Sequence, residues 1–191
     1  MTETSKPPKV QSQGIPALER AFLAASIRLT ARFYSKDRIT AMFREEAHLA
    51  LELASRLSLE EGQRRVRIPR FFGVEAESCD WSVFMTLEHL VIANTAITAQ
   101  LPRLYSGRDP CIDFPLEDLK PVPSAGPEQI ESLATLRERY TEVVDKLGNL
   151  HAGSRCPHPW FGNFSAAQWH ALAAFHTSTH RRQIERILKV R

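Results

Sequence analysis

The chain of 191 residues has no long hydrophobic run and no marked excess of charge of one sign. Arg, Glu, Gln or Thr interrupts every apolar stretch well before the roughly 18 to 20 residues that a membrane span requires, so no transmembrane helix is expected. The 25 Lys and Arg residues are interleaved with 22 Asp and Glu residues, which leaves a formal charge of +3. Nucleic-acid binders usually concentrate basic residues on one face. We therefore expect neither a membrane nor a nucleic acid as partner.

Cysteine is also scarce, and no secretory signal is evident. The three cysteines, Cys79, Cys111 and Cys156, form neither a CxxC pair nor an even set. That count argues against a disulfide framework and favours a reducing cytoplasm. The first residues are rich in Lys, Pro, Ser and Gln and lack the apolar core of a signal peptide. We expect a disordered leader over residues 1–15 and a single domain over residues 16–191.

Strand patterns are nearly absent, whereas helical periodicity is clear. The expected helices cover residues 16–34, 37–57, 80–104, 127–151 and 165–190. Leu18, Phe22, Ala25 and Leu29 recur at helical spacing in the first, and Asp80 is the expected N-cap of the third. A Pro-rich loop from Tyr105 to Gly126 is expected to cover a site. These elements predict an all-α fold, a bundle of four core helices with an additional N-terminal helix.

The last helix carries the strongest chemical signal. At about 100° per residue, His176 and His180 share one sector with Trp169, Leu172 and Ile184. Two imidazoles at i and i+4 can point at one metal ion. The spacing alone is a weak signal, because a buried histidine is more often hydrogen-bonded to backbone or water.

A third histidine strengthens this interpretation. His89 lies on the largely apolar helix from Asp80, on the side of Met85 and Ala93. Three neutral imidazoles in an apolar interior would each need a separate hydrogen-bond partner, whereas one shared metal ion satisfies them together. We therefore expect His89, His176 and His180 to bind a divalent transition metal.

Several other polar residues are candidates for roles beside this group. Glu46 lies within the apolar stripe of its helix and is the candidate catalytic base; a ligand-orienting role or a salt bridge to Arg are the alternatives. Gln183 lies one turn from His180 and is expected to fix its tautomer. The four remaining histidines are weaker candidates: His48 as solvated, His151 as facing the apolar side near a helix end, His158 as structural, and His170 as outside the apolar sector.

Two stretches resemble the DinB/YfiT-like superfamily of metalloproteins. The stretch from His158 to Trp169, with its His-Pro-x-x-Gly turn, continues to His176 and to His180-Arg-Arg-Gln and is similar to the family's C-terminal signature. The segment from Trp81 to Leu90 resembles its second core helix. The chain departs from the family where a consecutive His-His is replaced by His180-Arg181, and in its additional N-terminal segment.

The resemblance implies a four-helix bundle, often dimeric, with a three-histidine site for nickel, zinc or a similar ion. Carried over residue by residue, its ligands are His89, His176 and His180. It also implies a metal-dependent transferase, isomerase or hydrolase acting on a small molecule, with a low-molecular-weight thiol as one class of cosubstrate. The alternative is a non-catalytic, metal-stabilised module for stress-related binding or dimerisation, because a fold does not by itself imply activity.

Overall fold

The computed structural model describes residues 14–107, 111–112 and 115–190, and its fold is all-α, as expected. In chain order the helices are α1 (Ala17–Phe33), α2 (Lys36–Ser55), α3 (Leu59–Gln63), α4 (Val83–Ser106), α5 (Glu128–Lys146) and α6 (Ala166–Val190). Two 3₁₀ turns, Glu77–Asp80 and Leu116–Leu119, lie in the connections. Residues 1–13 of the expected leader lie outside the described residues, and Ile15 is buried.

Four long helices form the bundle. Helix α2 packs against α5 and α6, and α4 packs against the same two helices from the other side. Helix α1 is the additional helix, and it packs on α6. Phe43 and Tyr140 stack at the centre of one half of the core, with ring centroids 4.1 Å apart. Phe84 and Leu133 lie in the other half, beside the C-terminal part of α6. Among the described residues, no helix combines the length and apolarity that crossing a bilayer needs.

Two helix boundaries differ from the sequence expectation. The N-cap of α4 is Ser82, whose Oγ accepts a hydrogen bond from the backbone N–H of Met85 at 3.1 Å, and Asp80 lies in the preceding 3₁₀ turn. Helix α5 ends at Lys146 rather than near residue 151. The Lys36 ammonium donates to the carbonyls of Val144 (3.2 Å) and Leu147 (2.7 Å), which places a positive charge on carbonyl groups at the C-terminal end of the helix.

A short antiparallel hairpin precedes α6. Strands β1 (Arg155–His158) and β2 (Gly162–Ser165) pair with Cys156 opposite Phe164. The tight turn between them uses Gly162 at φ 74°, a conformation that glycine adopts without steric cost. At the start of α6, the Gln168 side chain accepts from the backbone N–H of Ser165 at 2.9 Å, which is one half of the expected capping box. The hairpin places His158, Trp160 and Phe161 at one end of the bundle.

The cysteine count argued against a disulfide framework, yet one disulfide is present. Cys111 and Cys156 form a disulfide with a Cα–Cα distance of 5.7 Å, and Cys79 is free and buried. Gln100 supports the pair: its amide donates to Cys156 Sγ (2.8 Å) and its Oε1 accepts from the N–H of Ile112 (2.8 Å). The cysteine count misled because two distant cysteines can pair whatever the total. The cysteines therefore no longer support the expectation of a reducing compartment.

Two of the weaker histidines also lie elsewhere than expected. His170 is fully buried, because the first half of α6 is enclosed on every side and not only on one apolar sector. Its Nδ1 faces the Tyr140 hydroxyl at 2.6 Å, and its Nε2 faces the Lys36 carbonyl at 3.1 Å. His151 is exposed in the turn after α5, because that helix ends earlier than expected. His48 is exposed, as expected, and lies 3.9 Å from Glu52.

Candidate metal centre

The three predicted ligands meet between α4 and α6. His89 lies on α4, His176 and His180 lie one turn apart on α6, and one ligand atom from each falls within 4.8 Å of the other two. The Nε2 atoms of His89 and His176 are 3.0 Å apart. Two nitrogens that both ligate one zinc-type ion, each at about 2.0–2.1 Å, lie about this far apart. The cluster therefore has the spacing of a metal site.

Hydrogen bonds to neighbouring residues fix the proton on the outer nitrogen, Nδ1, of two of the rings. His89 Nδ1 donates to the carbonyl of Leu119 at 2.7 Å. Gln183 donates its amide to the Ser78 carbonyl at 2.6 Å, so its Oε1 is the acceptor for His180 Nδ1 at 2.7 Å. Both rings thus carry their proton on Nδ1 and keep the Nε2 lone pair for the cluster, and the expected tautomer-fixing role of Gln183 matches its position.

The cluster is also in the charge state that metal binding needs. Burial lowers the pKa of His89 to about 4, and the hydrogen bond that its ring donates to the Leu119 carbonyl opposes this shift. Burial likewise lowers the pKa of His176 and His180 well below the usual value, and the neighbouring imidazoles lower it further. All three rings are therefore neutral near pH 7, and each has a lone pair to donate.

Within the cluster, inward nitrogens contact one another instead of separate hydrogen-bond partners. His89 uses its only proton on Leu119, so the contact between the two Nε2 atoms requires the proton of His176. His176 Nδ1 is buried and has no hydrogen-bond partner among the described residues. A shared cation accepts the inward lone pairs at once, so the residues present fit a divalent metal.

Aromatic side chains enclose the cluster. The Trp81 ring lies 5.0 Å from the ring of His89 and stacks at 6.1 Å on that of His180. A cavity of about 610 Å³ opens next to the three histidines. Its described wall includes the Trp160 and Phe161 side chains and the Leu116–Leu119 turn, which the sequence predicted as cover for the site. The cluster therefore lies at the inner end of a space large enough for a small molecule.

Glu46 does not line this cavity. Its two oxygens accept from Arg181 Nε at 2.7 Å and from Ser178 Oγ at 3.0 Å, which corresponds to the salt-bridge alternative. Glu75 and Glu77 are the carboxylates of the described wall, and Glu77 pairs with Lys120 at 2.7 Å. Burial raises the pKa of Glu75, with a smaller contribution from the charge of Glu77. Sequence reasoning missed Glu75 because it lies in an irregular segment where periodicity gives no orientation.

His158 joins the wall as well. Its ring stacks on Phe161 with centroids 4.6 Å apart, and its Nδ1 accepts from the N–H of Trp160 at 3.1 Å. Burial lowers its pKa to about 4. These contacts agree with the structural role that the sequence indicated, although its place beside the site was not foreseen.

A comparison with known protein families matches residues 42–184 to the DinB superfamily. That range begins within α2 and includes all three clustered histidines, and it leaves α1 outside. No curated protein and no solved structure gave a significant match.

Proposed function

Because this chain belongs to the DinB superfamily, we propose that it is a metal-dependent enzyme that acts on a small molecule as a transferase, isomerase or hydrolase. The observation that carries the proposal is the meeting of His89, His176 and His180 beside a cavity of about 610 Å³. Structural metal sites are usually closed by four protein ligands, whereas three ligands next to a cavity are typical of catalytic sites.

The three imidazoles would hold a divalent ion such as nickel or zinc, since imidazole is a good ligand for both. Such an ion lowers the pKa of a water or thiol that it binds and polarises oxygen atoms of a substrate. Leu119 and Gln183 orient two of the ligand rings through their outer nitrogens. Trp81, with the other aromatic side chains of the wall, excludes water from the inner end of the cavity.

Glu75 replaces Glu46 as the proposed proton acceptor. It lines the cavity, and its raised pKa brings it closer to the range in which a carboxylate exchanges protons near neutral pH. Glu75→Gln is expected to reduce turnover by at least tenfold, whereas Glu46→Gln should leave turnover within about twofold, because Glu46 serves Arg181 on the other side of α6. Equal losses in the two variants would contradict this assignment.

Metal content is the first test. Purified protein is expected to bind one nickel or zinc ion per chain, measured by mass spectrometry and by calorimetric titration of the metal-stripped protein. His176→Ala and His180→Ala should each reduce the metal content to near zero, with the far-UV circular dichroism unchanged. His151→Ala is the matched control, because that imidazole is exposed. Full metal content in either ligand variant would refute the ligand set.

The second test concerns activity. The metal-loaded protein is to be screened for transferase, isomerase and hydrolase activity, with and without low-molecular-weight thiols. A turnover that requires both the metal and a thiol would support thiol-dependent chemistry.

The alternative is a non-catalytic module in which the metal ion stabilises the fold. It is favoured by one observation, that the ligands connect α4 with α6 in the manner of a cross-link between two core helices. A metal-loaded protein that is inert towards all substrates, and whose midpoint temperature falls on metal removal, would support this alternative.

A further inference from the structure

Helix α1 lies outside the range that matches the family, yet it forms part of the cavity wall. Ile15, Leu23 and Ile27 face the same space as the three histidines. Two anchors hold the helix there: Glu19 accepts from Arg70 and from the N–H of Gly73 at 3.0 Å, and Arg28 donates to the Phe161 carbonyl at 2.7 Å. Both anchors attach α1 to segments that line the cavity themselves. The helix is therefore a fixed wall of the site.

The polar groups of the cavity are concentrated near the metal centre and around Glu75, Glu77 and Lys120. Most of the remaining described wall is formed by aromatic and aliphatic side chains from α1, α4, the hairpin and α6, among them Trp160, Leu172 and Phe175. A volume of about 610 Å³ lies within the range of pockets for drug-sized ligands, roughly 300–1,000 Å³. Polar molecules such as sugars would leave hydroxyl groups unpaired against this wall.

We propose that the site takes a hydrophobic small molecule with one metal-binding donor atom, and that Leu23 and Ile27 of α1 contact its apolar body. Only the part of this inference that concerns the donor atom rests on the proposed function. The apolar body is recognised by the wall, with or without a metal ion. Recognition of the body and binding of the metal can therefore be tested separately.

The first experiment uses metal-stripped full-length protein and the neutral fluorescent probe N-phenyl-1-naphthylamine. We expect saturable binding of one probe per chain with enhanced, blue-shifted emission. Leu23→Trp should weaken binding at least tenfold, because the larger side chain fills the cavity. The matched control is Leu29→Trp, the same change on the exposed side of α1, and it should leave binding unchanged.

Leu23→Glu and Leu29→Glu repeat the comparison in case the tryptophan variants do not fold, with circular dichroism as the check. Absence of saturable binding, or equal weakening by both members of a pair, would overturn the proposal.

In the metal-loaded protein, 4-phenylimidazole should bind at least tenfold more tightly than imidazole. Failure of metal binding with intact probe binding would refute the proposed function alone, and the reverse result would refute this inference alone.

A separate observation concerns the outer side of α1. Four large apolar residues of this helix, Leu18, Phe22, Leu29 and Phe33, are exposed, whereas its buried side is formed by Ala24, Ile27 and Ala31. We define the outer stripe as Leu18, Phe22, Leu29 and Phe33 together with Phe72, whose ring packs edge-on against Phe22 at 5.5 Å. The exposed fractions of these five residues range from 49% to 86%.

The exposed area of the outer stripe is roughly 650 Å² at about 200 Å² per large apolar side chain. The largest apolar patch of a typical monomer covers about 300–600 Å². Two copies packed stripe to stripe would bury roughly 1,300 Å², within the range of stable interfaces. Leu18, Phe22, Ala25 and Leu29 follow the 4-3-4 spacing of helices that pair with a copy of themselves.

We infer that the outer stripe is a homodimer interface between two α1 helices. Sedimentation equilibrium of the full chain should give a dimer, and Leu29→Glu should give a monomer. Leu59→Glu is the matched control, since Leu59 and Leu29 are 56% and 57% exposed, and it should remain dimeric. A monomeric wild type, or a dimeric Leu29→Glu variant, would overturn the inference. Binding of monomeric protein to lipid vesicles through the outer stripe, measured by flotation, would also overturn the inference.

Discussion

Acid sensitivity of the bundle should arise in part from His170, which lies away from the metal centre. Its neutral ring fits the site: Nδ1 accepts from the Tyr140 hydroxyl, and Nε2 donates to the Lys36 carbonyl. Burial lowers the pKa of His170 to about 4, the Lys36 carbonyl opposes this, and the Lys36 charge adds to it. The folded protein thus prefers the uncharged ring, while an unfolded chain protonates it at the usual pKa.

The direction in which pH changes the free energy of unfolding follows from this difference in pKa. Because the folded pKa is lower than the unfolded value of 6.5, the contribution of His170 to the free energy of unfolding is complete above that value. It is lost as the pH falls from about 6.5 to about 4. A shift of this size, from 6.5 to about 4, corresponds to about 3 kcal/mol at about 1.4 kcal/mol per pH unit.

The test compares wild type with His170→Gln, whose amide keeps one donor and one acceptor but does not titrate. Urea unfolding of metal-stripped protein, followed by circular dichroism at several pH values, gives the stability difference between the two. The variant should be less stable at pH 7.5, and the difference should shrink by about 3 kcal/mol on going to pH 4. Contributions of the other histidines cancel, because both proteins contain them.

His48→Gln is the control for the same substitution at an exposed imidazole. A difference for His170→Gln that stays constant within about 0.5 kcal/mol over the whole range would refute the reasoning. In that case the ring would be protonated in the folded state as readily as in the unfolded chain.

Three further predictions follow from single contacts. Gln183→Met removes the acceptor that orients His180, so calorimetry should show metal affinity reduced about 10- to 100-fold; unchanged affinity would refute the orienting role. Gly62→Ala places a Cβ against the Phe84 ring, closer than van der Waals contact allows, so urea unfolding should show a loss of about 1–3 kcal/mol, and no loss would contradict this packing. Cys156→Ala opens a disulfide that spans 45 residues and should cost up to about 4 kcal/mol in non-reducing urea unfolding; equal stability in reductant and oxidant would show that the disulfide does not form.

The ligand set could be predicted because its geometry is local. His176 and His180 are one turn apart on one helix, so their shared direction follows from helical periodicity alone. His89 required a further step, since its distance to α6 is decided by packing and not by spacing. The apolar character of the helix that carries His89 suggested that step, the resemblance to the DinB superfamily implied the same ligand set, and the family match covers all three residues.

Other assignments could not be made from periodicity. His170 lies outside the apolar sector of α6, yet it is buried because α2 and α5 enclose that side of the helix. Leu18, Phe22 and Leu29 follow helical spacing, yet they face away from the core. A repeating apolar pattern shows that a helix has an apolar side, but it does not show against which neighbour that side packs.

The sequence by itself determined the elements: the helices, the inward direction of His176 and His180, and the fold class, because these depend on interactions between residues a few positions apart. Only the tertiary structure decided which groups share the cavity. It brought Glu75 and the inner side of α1 to the cavity beside the three histidines, and it assigned Glu46 to Arg181 and Cys111 to Cys156. Those pairings join residues distant in sequence, and the packing of the whole chain selects them.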